Sequence, residues 1–513
     1  MGMDTDQELL TKLKFRRQFL IGPTEYSPNK YWKTEKLYHG LVLSIHTDLN
    51  FFSGVRNGCK ITLIGIAVDC TSPYKNAPEI ISSILESCGD ILSVITASKP
   101  LAGRWVILFQ DKENSFLFTD PCGLRQVYYY TDNEHLWYAS QPTLINQVTK
   151  LPLTSDESIL RFKNSMQFKQ KESAWIGDKT AYENCFHLMP NHYLDLNDCC
   201  QVRFFPNEPI ATSQNENELI PETAQYLQNI ILGLDHKFNI RICLTAGFDS
   251  RLLLAASVDI SDSVIYSTDT LGIMDGYCDD IYIPKRLARK FNLHHEVINS
   301  ATNPPSWFSR LLAKNVHLAR TSPLLRKTKS IYSAISDNGV DYILINGNVT
   351  ELVRIHERAV NYEPFIDDET RRINLNPLLN FYDYNSAYIN REIEKWVKTF
   401  DISAIDGITV FDMFYWEQRM SKWGALFPAE LDIAKESISP FNCRLLLETC
   451  FKVPREQRIA PEIPFFRGVI KQLWPEILSE PINPGPRGWG LLKQNIRRRL
   501  PAGMVKVIQK MIK

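Results

Sequence analysis

The stretch Ile242-Cys-Leu-Thr-Ala-Gly-Phe-Asp-Ser-Arg251 concentrates residue types suited to phosphate chemistry. An apolar run ends in the small residues Thr245-Ala246-Gly247. Small residues let backbone N–H groups close around phosphate oxygens. A helix starting after them adds its positive N-terminal end. Thr245 and Ser250 bring hydroxyls, and Asp249 a carboxylate for a phosphate-bound Mg²⁺. The Gly-Lys-Ser/Thr of the commonest phosphate loop is missing. Elsewhere His294-His295 has no third metal ligand at suitable spacing. Cys199-Cys200 is an adjacent thiol pair.

These residues need elements to hold them. Residues 1–205 read as short β-branched or aromatic runs, such as KFRRQFLIG, ITLIGIAV, WVILFQ and QVYYYT. The expected form is a β-sandwich with one helix near Pro78–Ser87. Residues 206–218 are polar and carry prolines, as a linker would. From 219 strand and helix alternate: a helix over Glu222–Leu234, then strands at Ile240–Leu244, Val264–Thr268 and Tyr342–Ile345, with a helix at Ile281–Phe291. That alternation predicts a parallel sheet covered by helices, with helical, aromatic-rich chain after about 360. The tail from Pro481 to Lys513 has eight basic residues and no acid, as a solvated helix or a contact to an anionic membrane surface or acidic partner would.

Composition narrows the function classes. Of 513 residues, 58 are Lys or Arg and 58 Asp or Glu, which argues against general nucleic-acid binding. The apolar share of 44% is that of a globular protein. No apolar run approaches a membrane span, and the first residues form no secretory signal. Eleven unpatterned cysteines fit reduced thiols in the cytoplasm.

Thr245-Ala-Gly-Phe-Asp-Ser250 resembles the S-G-G-x-D-S signature of the PP-loop ATP pyrophosphatases, with Thr and Ala as replacements. Asp280 to Ala288, then His294-His-Glu-Val297, resembles an asparagine-synthetase element, with Pro284 in place of an alanine. In the first half, Leu101-Ala-Gly-Arg-Trp105, Asp120-Pro-Cys-Gly-Leu-Arg125, Tyr128-Tyr-Tyr130, Tyr138-Ala-Ser140 and His187-Leu-Met-Pro-Asn-His192 resemble the class II glutamine amidotransferase domain. The order of these motifs is that of asparagine synthetase, β-lactam synthetase and peptide-cyclising relatives.

The resemblance implies an amidotransferase-like sandwich over 1–205, an ATP-binding PP-loop domain over 219–480, and a basic tail over 481–513. It implies an AMP- and pyrophosphate-forming ligase that adenylates a small-molecule, peptide or glycan-linked carboxylate and passes it to an amine, ammonia included. ATP would meet Leu244, Thr245, Ala246, Gly247, Phe248, Asp249, Ser250, Ser267 and Gly347. Asp249 and Glu351 would hold Mg²⁺, Glu351 falling where relatives carry an Asp. Asn348 stands near the reacting amine in that alignment, and Val349 replaces a glycine. Lys435-Glu436-Ser-Ile-Ser-Pro440-Phe-Asn442 resembles V-E-x-R-x-P-F-L-D and would make Glu436 a catalytic helper. Arg467, Arg487 or Lys493 would replace the family's late lysine. A glutaminase of this class needs Cys directly after Met1; Gly2 stands there and the first cysteine is Cys59, so no glutamine hydrolysis is expected. The competing reading is a catalytically silent scaffold.

Overall fold

The computed structural model describes residues 2–131, 136–170, 174–213, 215–272, 274, 278–317, 325–335, 341–355, 374–381, 386–400 and 407–484. The tail from 485 and the stretch 356–373, including the start of the expected helical region, lie outside them.

The first half supplies β1 (Phe19–Gly22), β2 (Trp32–Lys36), β3 (Val42–His46), β4 (Phe51–Arg56), β5 (Cys59–Asp69), β6 (Leu101–Gln110), β7 (Ser115–Thr119), β8 (Tyr128–Thr131), β9 (Leu136–Ala139), β10 (Cys185–His187), β11 (His192–Asp195) and β12 (Cys200–Arg203). They form two six-stranded sheets, ordered β10-β8-β9-β1-β3-β2 and β12-β11-β7-β6-β5-β4. All pairings in both are antiparallel.

Period-two patterning decides how the sheets stack. Ile64, Val106 and Leu108 face Phe19 and Ile45 of the other sheet across a common core. Their neighbours Ile61, Leu63 and Ile107 face outward, under Ile81, Ile84 and Val94 of the helices Ala77–Glu86 and Ile91–Ala97. Asn76 opens the first of these helices with a capping box to Glu79. Helix Pro142–Thr149 covers the other sheet through Leu144 and Ile145.

Two expectations need correction. The run from Lys14 is strand only from Phe19, because Phe15 and Arg17 take positive φ (53° and 55°) and turn the chain after a helix at Gly2–Leu13. The 206–218 segment is no free linker. Ser213 N–H donates to the Lys452 carbonyl at 2.8 Å, and helix Glu216–Lys237 begins inside it.

The second half carries β13 (Ile240–Cys243), β14 (Ile265–Asp269), β15 (His295–Ile298), β16 (Ile343–Ile345) and β17 (Ser437–Ile438). They form a parallel sheet in the order β15-β14-β13-β16-β17. From β13 the chain adds strands to one side, then returns at β16 to the other. The topological switch point therefore lies between β13 and β16. In such sheets ligands bind outside the carboxyl ends at that point. After β16 the described chain is mostly helical, with a π-helix at Tyr415–Gly424. The halves share one core, in which Val68, Ala102, Cys122 and Leu124 of the sandwich meet Leu227, Ile230, Phe441 and Leu446. Among the described residues no helix is long and apolar enough to cross a membrane.

Candidate functional site

The loop after β13 sits at the switch point. Leu244 extends the ladder, its N–H donating to the Ser267 carbonyl at 2.9 Å while its own carbonyl accepts from Thr268 Oγ1 at 2.6 Å. Ser267 is thus a neighbour on β14, 4% exposed. Gly247 then caps helix Phe248–Ala256 in extended conformation, and no side chain caps that helix. Its first-turn N–H groups lack intrahelical acceptors, as at any helix start.

The loop amides are not free to close around phosphate as expected from the sequence. Thr245 N–H donates to Ser250 Oγ at 3.0 Å, Ala246 N–H to Asp280 Oδ1 at 3.1 Å, and Gly247 N–H to Thr245 Oγ1 at 3.3 Å. The loop is therefore pre-shaped by its own hydroxyls and by Asp280. Its outer side is held by Asn483, whose N–H donates to the Ala246 carbonyl at 2.9 Å. Buried Arg251 fixes that segment by donating to the carbonyls of Ile477, Glu480 and Pro481.

The turn after β16 meets the helix start at Gly347. A Cβ there would lie 2.6 Å from Asp249 Cβ, so only glycine permits the approach. Asn348 is held through its backbone: its N–H donates to Asn346 Oδ1 at 2.9 Å, and Ser439 Oγ donates to its carbonyl. Val349 is buried at φ +75°, a strained conformation for a β-branched residue. Helix Thr350–Val353 follows and presents Glu351.

Asp249 and Glu351 converge on one guanidinium. Arg354 Nη2 lies 3.0 Å from Asp249 Oδ2 and 3.9 Å from Glu351 Oε1. Asp249 Oδ1 and Glu351 Oε2 are buried and have no hydrogen-bond partner. Burial, then the Asp249 charge, pushes the Glu351 carboxyl up to about 7. Burial raises Asp249 as well, against the pull of Arg354. Tyr415 on the π-helix is raised by burial and by Glu351, and Arg419 also acts on this pair. Sequence reasoning missed Asp280, Tyr415 and Arg419 as neighbours of the site. The one legible signal was Asp280, inside the quoted D-x-x-x-A element.

The pair fits a divalent cation in part. Two hard, half-buried carboxylates whose charge is disfavoured where they stand are suited to Mg²⁺. Among the described residues no group of three His, Cys, Asp or Glu could hold a metal, so phosphate oxygens and water would complete the shell. Arg467 donates to the Glu462 carbonyl and lies over the Phe248 ring at 5.1 Å. Arg487 and Lys493 lie outside the described residues.

Glu436 is elsewhere. It precedes β17, and the register Leu344↔Ser437 puts it level with the start of β16, at the end of the sheet away from the loop that follows β13. Arg125 Nη2 contacts both its oxygens at 2.8 Å, and Arg104 Nη1 contacts one at 2.8 Å. Glu436, expected as a catalytic helper, thus stands apart from Asp249 and Glu351, with both oxygens held by arginines of the first half. The motifs that resembled an amidotransferase join the two halves here. Arg104 and Arg125 also bind Asp432, and Asp120 Oδ1 accepts from Asn442 Nδ2 at 2.7 Å. His295 Nε2 meets Thr268 Oγ1 at 2.9 Å, and burial lowers it to about 4.

No protein-family model and no curated protein matches the chain. One solved structure found is glutamine phosphoribosylpyrophosphate amidotransferase from B. subtilis, complexed with ADP and GMP. It shares 12% identity at a TM-score of 0.23, covering 69% of this chain and 73% of that one. At that score the likeness carries no argument about fold or function.

Proposed function

We propose that the chain is an ATP-dependent ligase of asparagine-synthetase type, which adenylates a carboxylate, releases pyrophosphate and passes the acyl group to an amine. One observation carries this reading. Asp249 and Glu351 converge with one unpartnered oxygen each, beside an uncapped helix start at the switch point of a parallel sheet.

In this reading the first-turn N–H groups of Phe248, Asp249 and Ser250 bind phosphate oxygens. Thr245 and Ser250 hold the loop in shape, Ala246 and Gly247 keep it low, and Gly347 lets the opposing turn close. Leu244, just past β13, and Ser267, beside it on β14, would line the nucleoside side of the site. Mg²⁺ held by Asp249 and Glu351 would neutralise charge that builds on the phosphates. Arg467, against Phe248, adds a fixed cation for the departing pyrophosphate. Asn348 sits where the amine would arrive.

Glutamine is not the nitrogen source in this proposal. A thiol nucleophile needs a lowered pKa. The resolved shifts of the sandwich cysteines all run upward, with Cys122 and Cys185 raised by burial. Added glutamine should release no glutamate; measurable release refutes this part.

A specific observation favours the second reading, a silent scaffold. Arg354 already bridges the two carboxylates, as a built-in replacement for a metal would. Calorimetry of Mg·ATP binding separates the two. A ligase binds Mg·ATP and loses it in Asp249→Ala while staying folded. Absence of binding by the folded wild-type chain, candidate acids included, selects the scaffold.

A further inference from the structure

A second group of buried polar side chains lies outside the phosphate site. Lys422, from the π-helix, docks on the sandwich at β10 and borders a narrow cavity of about 20 Å³. Trp175, His187, His317, Lys179 and Gln126 also line it. A water-sized group needs roughly 10–15 Å³, so the cavity takes one such group.

Hydrogen-bond accounting shows what kind. Lys422 Nζ meets His187 Nδ1, and as an ammonium it donates to it; both side chains are buried, 6% and 1% exposed. Nδ1 then serves as acceptor, so the neutral ring carries its hydrogen on Nε2. Burial keeps that ring neutral, well below the usual histidine range. His187 Nε2 has no partner among the described residues, and neither does Trp175 Nε1, whose residue is 8% exposed. His317 Nε2 is unpartnered too, in a ring stacked on Trp175 at 6.1 Å and 17°. Buried donors without acceptors call for a bound species.

The local charge is positive. Lys179 lines the cavity beside Lys422, and Lys163 acts on His317. Asp178 is the acid acting on Lys422, without a hydrogen bond to it.

We propose that this cavity binds one monatomic inorganic anion of the chloride class, with Trp175 Nε1–H and His187 Nε2–H as donors and the Lys422 ammonium as counter-charge. A cavity with room for about one water-sized group favours a monatomic anion over a larger organic one. Burial lowers the Lys422 amine to about 7, so protonation of the amine and anion binding reinforce each other. The proposal is independent of the ligase reading, because no residue of the phosphate site takes part.

The test uses the full chain in two experiments. Crystals soaked in sodium bromide should show an anomalous peak between Trp175, His187 and Lys422. Thermal melting at constant ionic strength should rise saturably when sodium gluconate is replaced by sodium chloride. Lys422→Met should abolish the chloride response, and Trp175→Phe, which keeps the packing, should weaken apparent affinity severalfold. Density for water without a bromide peak, or equal melting in the two salts, overturns the site. If Lys422→Met does not fold, Trp175→Phe and the bromide peak still decide.

Discussion

Two arginine–carboxylate clusters sit at opposite ends of the parallel sheet, and their wiring differs. At the docking face Asp432 and Glu436 meet Arg104 and Arg125, and every carboxylate oxygen accepts from a guanidinium. At the switch point Arg354 bridges Asp249 and Glu351, Arg419 acts on Glu351 from a distance, and an oxygen of each carboxylate has no partner. Burial opposes charge in both. In the first, Arg125 and Arg104 overcome it at Glu436, brought down to about 2, while burial still raises Asp432. In the second, burial outweighs the arginines at both carboxylates, and Glu351 rises to about 7. A saturated cluster holds structure; an unsaturated one has valence left for a ligand.

The comparison breaks most visibly at the saturated cluster. Arg125→Met strands buried carboxylate charge and should cost about 3–5 kcal/mol in urea unfolding. A loss under about 1 kcal/mol would show that the cluster does not dock the halves. Arg354→Met should be milder, about 1–3 kcal/mol, as buried carboxylates lose a donor. If the pair is a cation site, MgCl₂ restores the melting temperature of this variant and matched NaCl does not.

Glu436 and Glu351 should also answer pH with opposite sign. Glu436 is depressed on folding, so its contribution is present above 4.5 and lost as pH falls towards about 2. Glu351 is raised on folding, so the native state binds the extra proton between 4.5 and about 7. Its effect is a loss of stability as pH rises through that window, which Glu351→Gln should remove. Since the metal needs the carboxylate, Mg²⁺ affinity should be about tenfold greater at about pH 8 than at about pH 6. A flat profile in wild type excludes Glu351 as a ligand.

The smallest effect concerns Val349. A left-handed residue costs about 1–2 kcal/mol, while burying a valine side chain gains about 1.5–3 kcal/mol. Val349→Gly relieves the first and forfeits the second, so its net change in unfolding free energy should stay within about 1 kcal/mol.

How much could be read beforehand follows from sequence distance. The strand, small-residue turn and helix around Thr245–Ser250 were legible because backbone propensity acts within a few residues. Period-two patterning likewise made the sandwich legible. The surroundings of Glu436 were not legible because its motif is local while its partners are not: Arg125 reaches it from 311 residues away. The same holds for Asp280, which holds the Ala246 amide from 34 residues off.

The sequence by itself determined the alternating pattern of each half, the polar loop at the end of β13 and the residue types able to meet phosphate. These depend on backbone conformation and on which face of an element is apolar. Only the tertiary structure decided which charges are spent. It placed Arg125 on Glu436 and left an oxygen each of Asp249 and Glu351 without a hydrogen-bond partner. Whether a carboxylate is a strut or a ligand depends on the count of donors around it in space, and spacing along the chain does not set that count.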